Sequence, residues 1–154
     1  MNYLLFLIIA LLLAPLSSRA DDNLSLNNII ILLDASGSMD SSMSGTNLRK
    51  IDAAKAALQE VIKQVSPDTQ VGLLVFSASN LNNDWVYPLG PRDDQKLRAA
   101  INLPEPGGDT PLGTYLKLGA NRLLEQKTKQ MGYGTFRLLV VTDGEATDGN
   151  KSEL

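Results

Sequence analysis

Short apolar runs alternate with amphipathic stretches along the first half of the chain. The run at residues 29–33 is continuous, β-branched and too short for a helix, which predicts a strand buried on both faces. Between residues 48 and 65, apolar side chains recur at helical spacing, with Thr46 or Asn47 available as the N-cap. A second apolar run at residues 71–76 predicts another buried strand. Strand, helix and strand together predict a crossover unit with parallel pairing.

The second half continues this alternation with shorter elements. Residues 85–87 favour a strand at an edge of the sheet, antiparallel to its neighbour, because the following Pro88 cannot donate to a ladder. Asp93 and Asp94 open a short helix, since acidic side chains are favoured where the helix dipole is positive. The last apolar run, at residues 136–142, predicts a fourth strand.

A second long helix precedes the fourth strand. It is predicted to begin at Thr110 as the N-cap, with Pro111 at the first helical position. Its inward side chains are predicted to be Leu112, Leu116, Ala120 and Leu123.

Strands and helices that alternate in this way predict a doubly wound, mostly parallel α/β sheet with helices on both faces. If the fourth strand pairs on the far side of the first, the chain reverses direction there, and the crevice beyond these two strand ends is the expected ligand site. Asp34 and Asp143 follow those two strands. We expect Asp34 and Thr110 to lie at the exposed rim of this crevice and not in the core.

Composition narrows the class of protein. The chain has 154 residues, 44% of them apolar, as expected of one soluble domain with a core. A formal net charge of −3 with scattered basic residues argues against nucleic acid or a polybasic membrane patch as partners. The sequence contains no cysteine and no histidine, which removes disulfides, the commonest zinc ligands and the usual general base.

The first residues resemble an export signal. An unbroken apolar run of 11 residues, from Leu4 to Ala14, is followed by the small-residue pattern Ser18-Arg19-Ala20. Residues 1–20 are therefore predicted to be a signal peptide, residues 21–26 a polar lead-in and residues 27–154 the domain, in a secreted or periplasmic protein without a stable membrane span. An uncleaved anchor is the alternative, because no Lys or Arg precedes the apolar run.

Oxygen side chains gather at the predicted switch point. Asp34, Ser36 and Ser38 stand at alternate positions after the first strand, while Thr110 and Asp143 come from another loop and the fourth strand. Such a donor set suits magnesium, manganese or calcium, whereas zinc and copper prefer nitrogen or sulfur. Each residue alone could be an ordinary turn or cap residue. Their joint placement favours a metal site.

Three segments carry a resemblance to a known family. They read Asp34-Ala35-Ser36-Gly37-Ser38-Met39, Gly107-Gly108-Asp109-Thr110-Pro111-Leu112 and Val140-Val141-Thr142-Asp143-Gly144. In this order they resemble the von Willebrand factor type A family and its metal-ion-dependent adhesion site, over about residues 27–148. The resemblance implies a magnesium ion with hydroxyl ligands at Ser36, Ser38 and Thr110, and with Asp34 and Asp143 contacting it directly or through water.

The mixture of ligands indicates a binding function. Three neutral hydroxyls and only two carboxylates, which act partly through water, leave a divalent ion incompletely neutralised, so it still attracts an external anionic oxygen. The resemblance implies that a Glu or Asp of a protein partner supplies this oxygen. We therefore predict a secreted, metal-dependent adhesion or protein-binding module and not an enzyme.

A magnesium-dependent phosphoryl-transfer enzyme is the alternative, because an aspartate at a strand end of an α/β sheet also forms aspartyl phosphates. The haloacid-dehalogenase pattern requires a second aspartate two residues after the first, and Ser36 occupies that position. No nucleophile elbow or Walker loop is present.

The resemblance also implies further elements after the fourth strand. A family member would continue with another helix and two more strands, whereas 11 residues follow Asp143. We therefore expect a domain truncated after its fourth strand and incomplete at the C-terminus. The fourth strand would then be an apolar edge that promotes self-association.

Overall fold

The computed structural model describes residues 27–144 and residue 147. The predicted signal peptide and polar lead-in lie outside the described residues, as does almost all of the segment after Gly144. Within the part of the chain that is described, no helix combines the length and the apolar character needed to cross a membrane.

Among the described residues, four strands form one sheet, and three helices cover it. The strands are β1 (Asn27–Asp34), β2 (Gln70–Phe76), β3 (Trp85–Gly90) and β4 (Thr135–Val141). The helices are α1 (Lys50–Gln64), α2 (Asp94–Asn102) and α3 (Leu112–Lys129), and a short 3-10 turn occupies Gly37–Asp40.

The order of strands in the sheet is β3-β2-β1-β4. β1 is parallel to both of its neighbours, and β3 is antiparallel to β2. The predicted mostly parallel α/β sheet is confirmed, and β4 lies on the opposite side of β1 from β2, so the order of strands reverses at β1 as expected. Among the described residues β4 is an edge strand, with its apolar side chains only half-buried.

The core lies on both sides of β1, whose side chains alternate between two layers. Ile31 and Leu33 pack with α1 and α2, while Ile30 and Leu32 face α3, and all four are fully buried. Each such side chain stabilises the fold by roughly 1.5–3 kcal/mol relative to an exposed position. β1 is therefore a rigid support for whatever follows its last residue.

The first helix begins later than the sequence predicted. The hydroxyl of Thr46 accepts from the backbone N–H of Leu48 at 3.2 Å, which stabilises a turn in place of a helix cap. α1 starts at Lys50, after Arg49 at the N-cap position, and Leu48 is 48% exposed. The predicted cap at Thr46 or Asn47 was wrong because the loop uses Thr46 for its own turn.

Two expectations about α3 are also corrected. Pro111 occupies the N-cap position and no side chain caps the first turn, so Thr110 is not the cap. Ala120 faces solvent, and its neighbour Gly119 lies inward. A Cβ at Gly119 would lie only 2.9 Å from Cδ1 of Leu138, so α3 approaches β4 more closely there than a side chain allows.

α2 begins as predicted, because the Asp93 side chain accepts from the Lys96 amide at 3.0 Å.

Candidate functional site

Asp34 ends β1, and Asp143 lies two residues beyond the end of the neighbouring parallel strand β4, at the same edge of the sheet. The last register pair between β1 and β4 is Leu33 with Val141, so Asp34 comes beside Thr142, and Asp143 follows one residue later. Oδ1 of Asp34 accepts from the backbone N–H of Ser36 at 2.7 Å, and its Oδ2 accepts from the hydroxyl of Thr142 at 2.5 Å. The carboxylate of Asp34 is thus held from both sides.

Hydrogen bonds through Ser36 and Ser38 link the two aspartates. The Oγ atoms of Ser36 and Ser38 are 3.2 Å apart, and the hydroxyl of Ser38 donates to Oδ1 of Asp143 at 2.8 Å. The alternate spacing of Asp34, Ser36 and Ser38 therefore places all three oxygens along one edge, as the sequence pattern suggested.

Thr110 approaches from the loop before α3. A Cβ built on Gly144 would lie 3.9 Å from Oγ of Ser38 and 4.0 Å from Oγ1 of Thr110, so both hydroxyls border the same space. The backbone N–H of Thr110 donates to the hydroxyl of Thr147 at 3.1 Å. The Thr110 hydroxyl does not cap α3. The structure thus brings the five predicted site residues to one edge of the sheet.

Backbone bonds fasten this loop to the end of β1. The N–H of Gly37 donates to the carbonyl of Gly108 at 3.0 Å, and the N–H of Gly107 donates to the carbonyl of Ala35 at 2.8 Å. A Cβ at Gly107 would lie 2.9 Å from Cβ of Ser79, and Gly108 has a φ of +57°, so both positions require glycine. Larger residues here would displace the loop that carries Thr110.

Burial divides the site into a covered floor and an open side. Asp34, Ser36 and Thr110 are 0%, 1% and 7% exposed, whereas Ser38 is exposed and the Asp143 side chain is 15% exposed. The expectation that Asp34 and Thr110 lie at an exposed rim was wrong, because both side chains are buried and Thr142 bonds to the Asp34 carboxylate. Among the described residues, no basic side chain forms an ion pair with Asp34. The donors to its carboxylate among these residues are neutral, which is a costly arrangement for a buried charge.

Lys50 is a member of the site that the sequence reasoning missed. Its Nζ forms an ion pair with Oδ2 of Asp143, across 93 positions of sequence. Burial raises the pKa of Asp143, but the Lys50 ammonium and the Ser38 hydroxyl together outweigh burial, so the pKa lies below its ordinary value. A lysine at the start of a helix has no local signal for such a contact, since solvated surface lysines look the same.

Arg49 joins the segments around the site. Its guanidinium donates to Asp40 at 3.1 Å, to Asp52 at 2.8 Å and to Glu105 at 3.1 Å. These three acids belong to the 3-10 turn, to α1 and to the loop that leads to Gly107. The bonds from Arg49 lower the pKa of Asp52 and of Glu105, and they hold both loops against α1.

The donor chemistry fits a hard divalent cation. Within the described ranges, no group of three or more His, Cys, Asp or Glu side chains could hold a metal, so a carboxylate cage or a zinc centre is not built there. The site has instead two carboxylates and three hydroxyls, a set of oxygen donors that magnesium, manganese and calcium accept. An ammonium group already stands beside Asp143, which shows that this edge attracts positive charge.

Comparison with known proteins places these residues in a family context. The family model of the von Willebrand factor type A domain matches residues 29–145, which include all five site residues. Inter alpha-trypsin inhibitor heavy chain 4 of Mus musculus is 28% identical over 79% of this chain and 12% of its own length. The uncharacterized protein YwmC of Bacillus subtilis strain 168 is 27% identical over 79% of this chain and 56% of its own length.

Among solved structures, the pilus adhesin SpaC of Lactobacillus rhamnosus GG has the same fold over 79% of this chain and 16% of its own. The TM-score is 0.60 and the sequence identity 22%. The chain spans between 12% and 56% of the length of the two curated relatives, so it corresponds to a part of each.

Proposed function

Because the chain belongs to the von Willebrand factor type A domain family, we propose that it binds a protein partner through a divalent cation held at the carboxyl edge of its sheet. Domains of this family typically mediate adhesion between proteins. In this chain the cation would be magnesium, with manganese or calcium as alternatives, and Asp34, Ser36, Ser38, Thr110 and Asp143 would hold it.

One observation supports the proposal most strongly. Asp34 is fully buried and, among the described residues, accepts from two neutral donors, while hydrogen bonds through Ser36 and Ser38 link it to Asp143 on the open side. A buried carboxylate without a cation destabilises a fold by several kcal/mol unless a charge partner offsets it. A bound divalent ion would be that partner.

The open side determines what the site would bind. Two carboxylates balance the charge of a divalent ion formally. The three hydroxyls donate less electron density than carboxylates would, so a bound ion would still attract an anionic oxygen. Ser38 and Asp143 face the opening, while Asp34 lies beneath them. A Glu or Asp side chain of a protein partner, approaching from this side, would supply the oxygen.

The geometry favours binding over phosphoryl transfer. A nucleophilic aspartate needs a free oxygen facing its substrate, whereas both oxygens of Asp34 accept hydrogen bonds and the residue is 0% exposed. The chain also has no histidine to act as general base. A phosphatase assay with magnesium tests this alternative, and activity that disappears in an Asp34→Asn variant would support it.

The proposal places the protein outside the cytoplasm. The apolar run of 11 residues and the pattern Ser18-Arg19-Ala20 support cleavage after Ala20 and a mature chain that begins at Asp21. Sequencing the N-terminus of the exported protein tests this step. If the protein is recovered from membranes with residues 1–20 intact, the alternative of an uncleaved membrane anchor is supported.

A capture experiment tests the binding function. The immobilised protein is exposed to the envelope proteins of its source cells with Mg²⁺ or with a chelator, and a Thr110→Ala variant is compared with Thr128→Ala. Thr128 is a matched control because its hydroxyl bonds to the Leu124 carbonyl at the opposite end of α3. We expect one partner to be retained only with Mg²⁺, by the wild type and Thr128→Ala alone. Retention with chelator, or by Thr110→Ala, would contradict the function.

A further inference from the structure

We propose that Lys50 is an internal counter-cation that competes with the divalent ion for Asp143 and thereby lowers the metal affinity of the site. This inference rests on the proposed function, because it needs a metal at the five site residues. It adds a residue that no part of the family resemblance assigned.

The contact of Lys50 with Asp143 is specific. Nζ of Lys50 bonds to Oδ2 of Asp143, while Oδ1 accepts from the Ser38 hydroxyl at 2.8 Å. The two side chains are 34% and 15% exposed, so solvent screens their attraction only in part. Both oxygens of Asp143 are therefore engaged, one of them by a full positive charge.

Other basic side chains near the site already have acidic partners elsewhere. Arg49 bonds to Asp40, Asp52 and Glu105, and Lys55 reaches Glu105 at 3.4 Å. Lys50 differs from them, because its partner is one of the five candidate ligands. Among the residues that the structure describes, Lys50 is the basic side chain that forms an ion pair with a carboxylate of the site.

Competition follows from electrostatics. An ammonium and a divalent cation repel each other, so they cannot both stay close to the Asp143 carboxylate at low cost. The four-carbon stem of lysine is flexible, and the ammonium can turn towards solvent when the carboxylate takes another ligand. Metal binding is thus coupled to the loss of the ion pair. The ion pair stabilises the metal-free protein, and it weakens metal binding by the same factor.

The test measures Mg²⁺ binding to the full chain by calorimetry, in the wild type and in Lys50→Met. The control is Lys63→Met, because Lys63 lies near the other end of α1 and pairs with Glu60. We expect the Kd for Mg²⁺ to fall about three- to tenfold in Lys50→Met, as for loss of a partly exposed ion pair beside the ligand, and to stay unchanged in Lys63→Met. Lys50→Arg keeps a cation and should keep the wild-type Kd within about twofold.

A second measurement needs no partner. In chelator, Lys50→Met should melt below the wild type, and saturating Mg²⁺ should close this gap, because the metal replaces the lost cation. If the wild type binds Mg²⁺ but Lys50→Met binds it equally or more weakly, the inference is overturned and the proposed function stands. If none of the variants binds Mg²⁺, both are overturned.

Discussion

The two ends of β1 carry buried polar side chains of different kinds. At the amino end, Asn28 is 0% exposed and exchanges hydrogen bonds with Gln130, donating at 2.9 Å and accepting at 3.3 Å. It also donates to the Thr135 carbonyl at 3.1 Å. At the carboxyl end, Asp34 is equally buried and accepts from the Ser36 amide and the Thr142 hydroxyl.

The difference lies in charge. The pair at the amino end is neutral, and each amide serves as donor and acceptor for the other, so burial costs little. Asp34 brings a negative charge into the same environment, and its partners are neutral. One end of the strand thus joins α3 and β4 to the sheet, while the other keeps a charge that a ligand can neutralise.

The largest effect is expected when the charge is removed from the carboxyl end. Asp34→Asn keeps the size of the side chain but loses the charge, so Mg²⁺ affinity should fall at least about 100-fold, or roughly 2.7 kcal/mol. In chelator its melting temperature should equal or exceed that of the wild type, because an uncompensated buried charge is gone. Calorimetric titration and thermal unfolding check both parts. Unchanged Mg²⁺ affinity would remove Asp34 from the site.

The mirror change places a charge at the amino end. Asn28→Asp should destabilise the fold by about 3 kcal/mol at neutral pH, because the new carboxylate would be buried beside the neutral Gln130 amide. Urea unfolding measures this loss. Asn27→Asp is the control, since Asn27 is exposed and accepts from the Thr135 hydroxyl, a bond that aspartate also accepts. An equally small loss in both variants would show that the amino end tolerates charge and would remove the contrast between the ends.

A smaller effect is expected from the hydroxyl that orients Asp34. Thr142→Val removes the donor to Oδ2 of Asp34, and the loss of such a supporting bond should weaken Mg²⁺ binding about tenfold. Thr135→Val removes a hydroxyl at the opposite end of β4 and should leave Mg²⁺ binding unchanged. Equal Mg²⁺ affinities of Thr142→Val and the wild type would mean that the Asp34 carboxylate does not need the Thr142 hydroxyl to hold its orientation.

The smallest effect is expected at low pH, in the loop that Arg49 holds through Glu105. The pKa values of Asp52 and Glu105 are lowered by Arg49, so their contribution to stability is present above about pH 4 and is lost as the pH falls further, since the unfolded chain then binds more protons. The protection factors of the backbone amides in residues 105–110 should fall about two- to fivefold more than that of Asn28 across this range, as for exposed ion pairs. Arg49→Gln should abolish the difference. An equal fall in protection at both ends would contradict it.

The sequence predicted the elements that depend on local pattern. The apolar runs identified all four strands, and their order with the intervening helices indicated that Asp34 and Asp143 would share an edge. The features it missed depend on distant partners. Thr142 bonds to Asp34 across 108 positions, and Lys50 reaches Asp143 across 93. The late start of α1 was missed for a different reason, since a threonine hydroxyl can stabilise a turn as readily as a helix end.

The most direct test of the central claim is to locate the ion. Crystals of the full chain grown with Mn²⁺, which resembles Mg²⁺ but scatters anomalously, would show its position independently of any partner. We expect one anomalous peak within about 2–2.6 Å of oxygens from Ser36, Ser38 and Thr110, and no peak in Asp34→Asn crystals. A wild-type map without a peak at saturating Mn²⁺, or with its peak away from these side chains, would contradict the assignment of the charged end of β1 as a metal site.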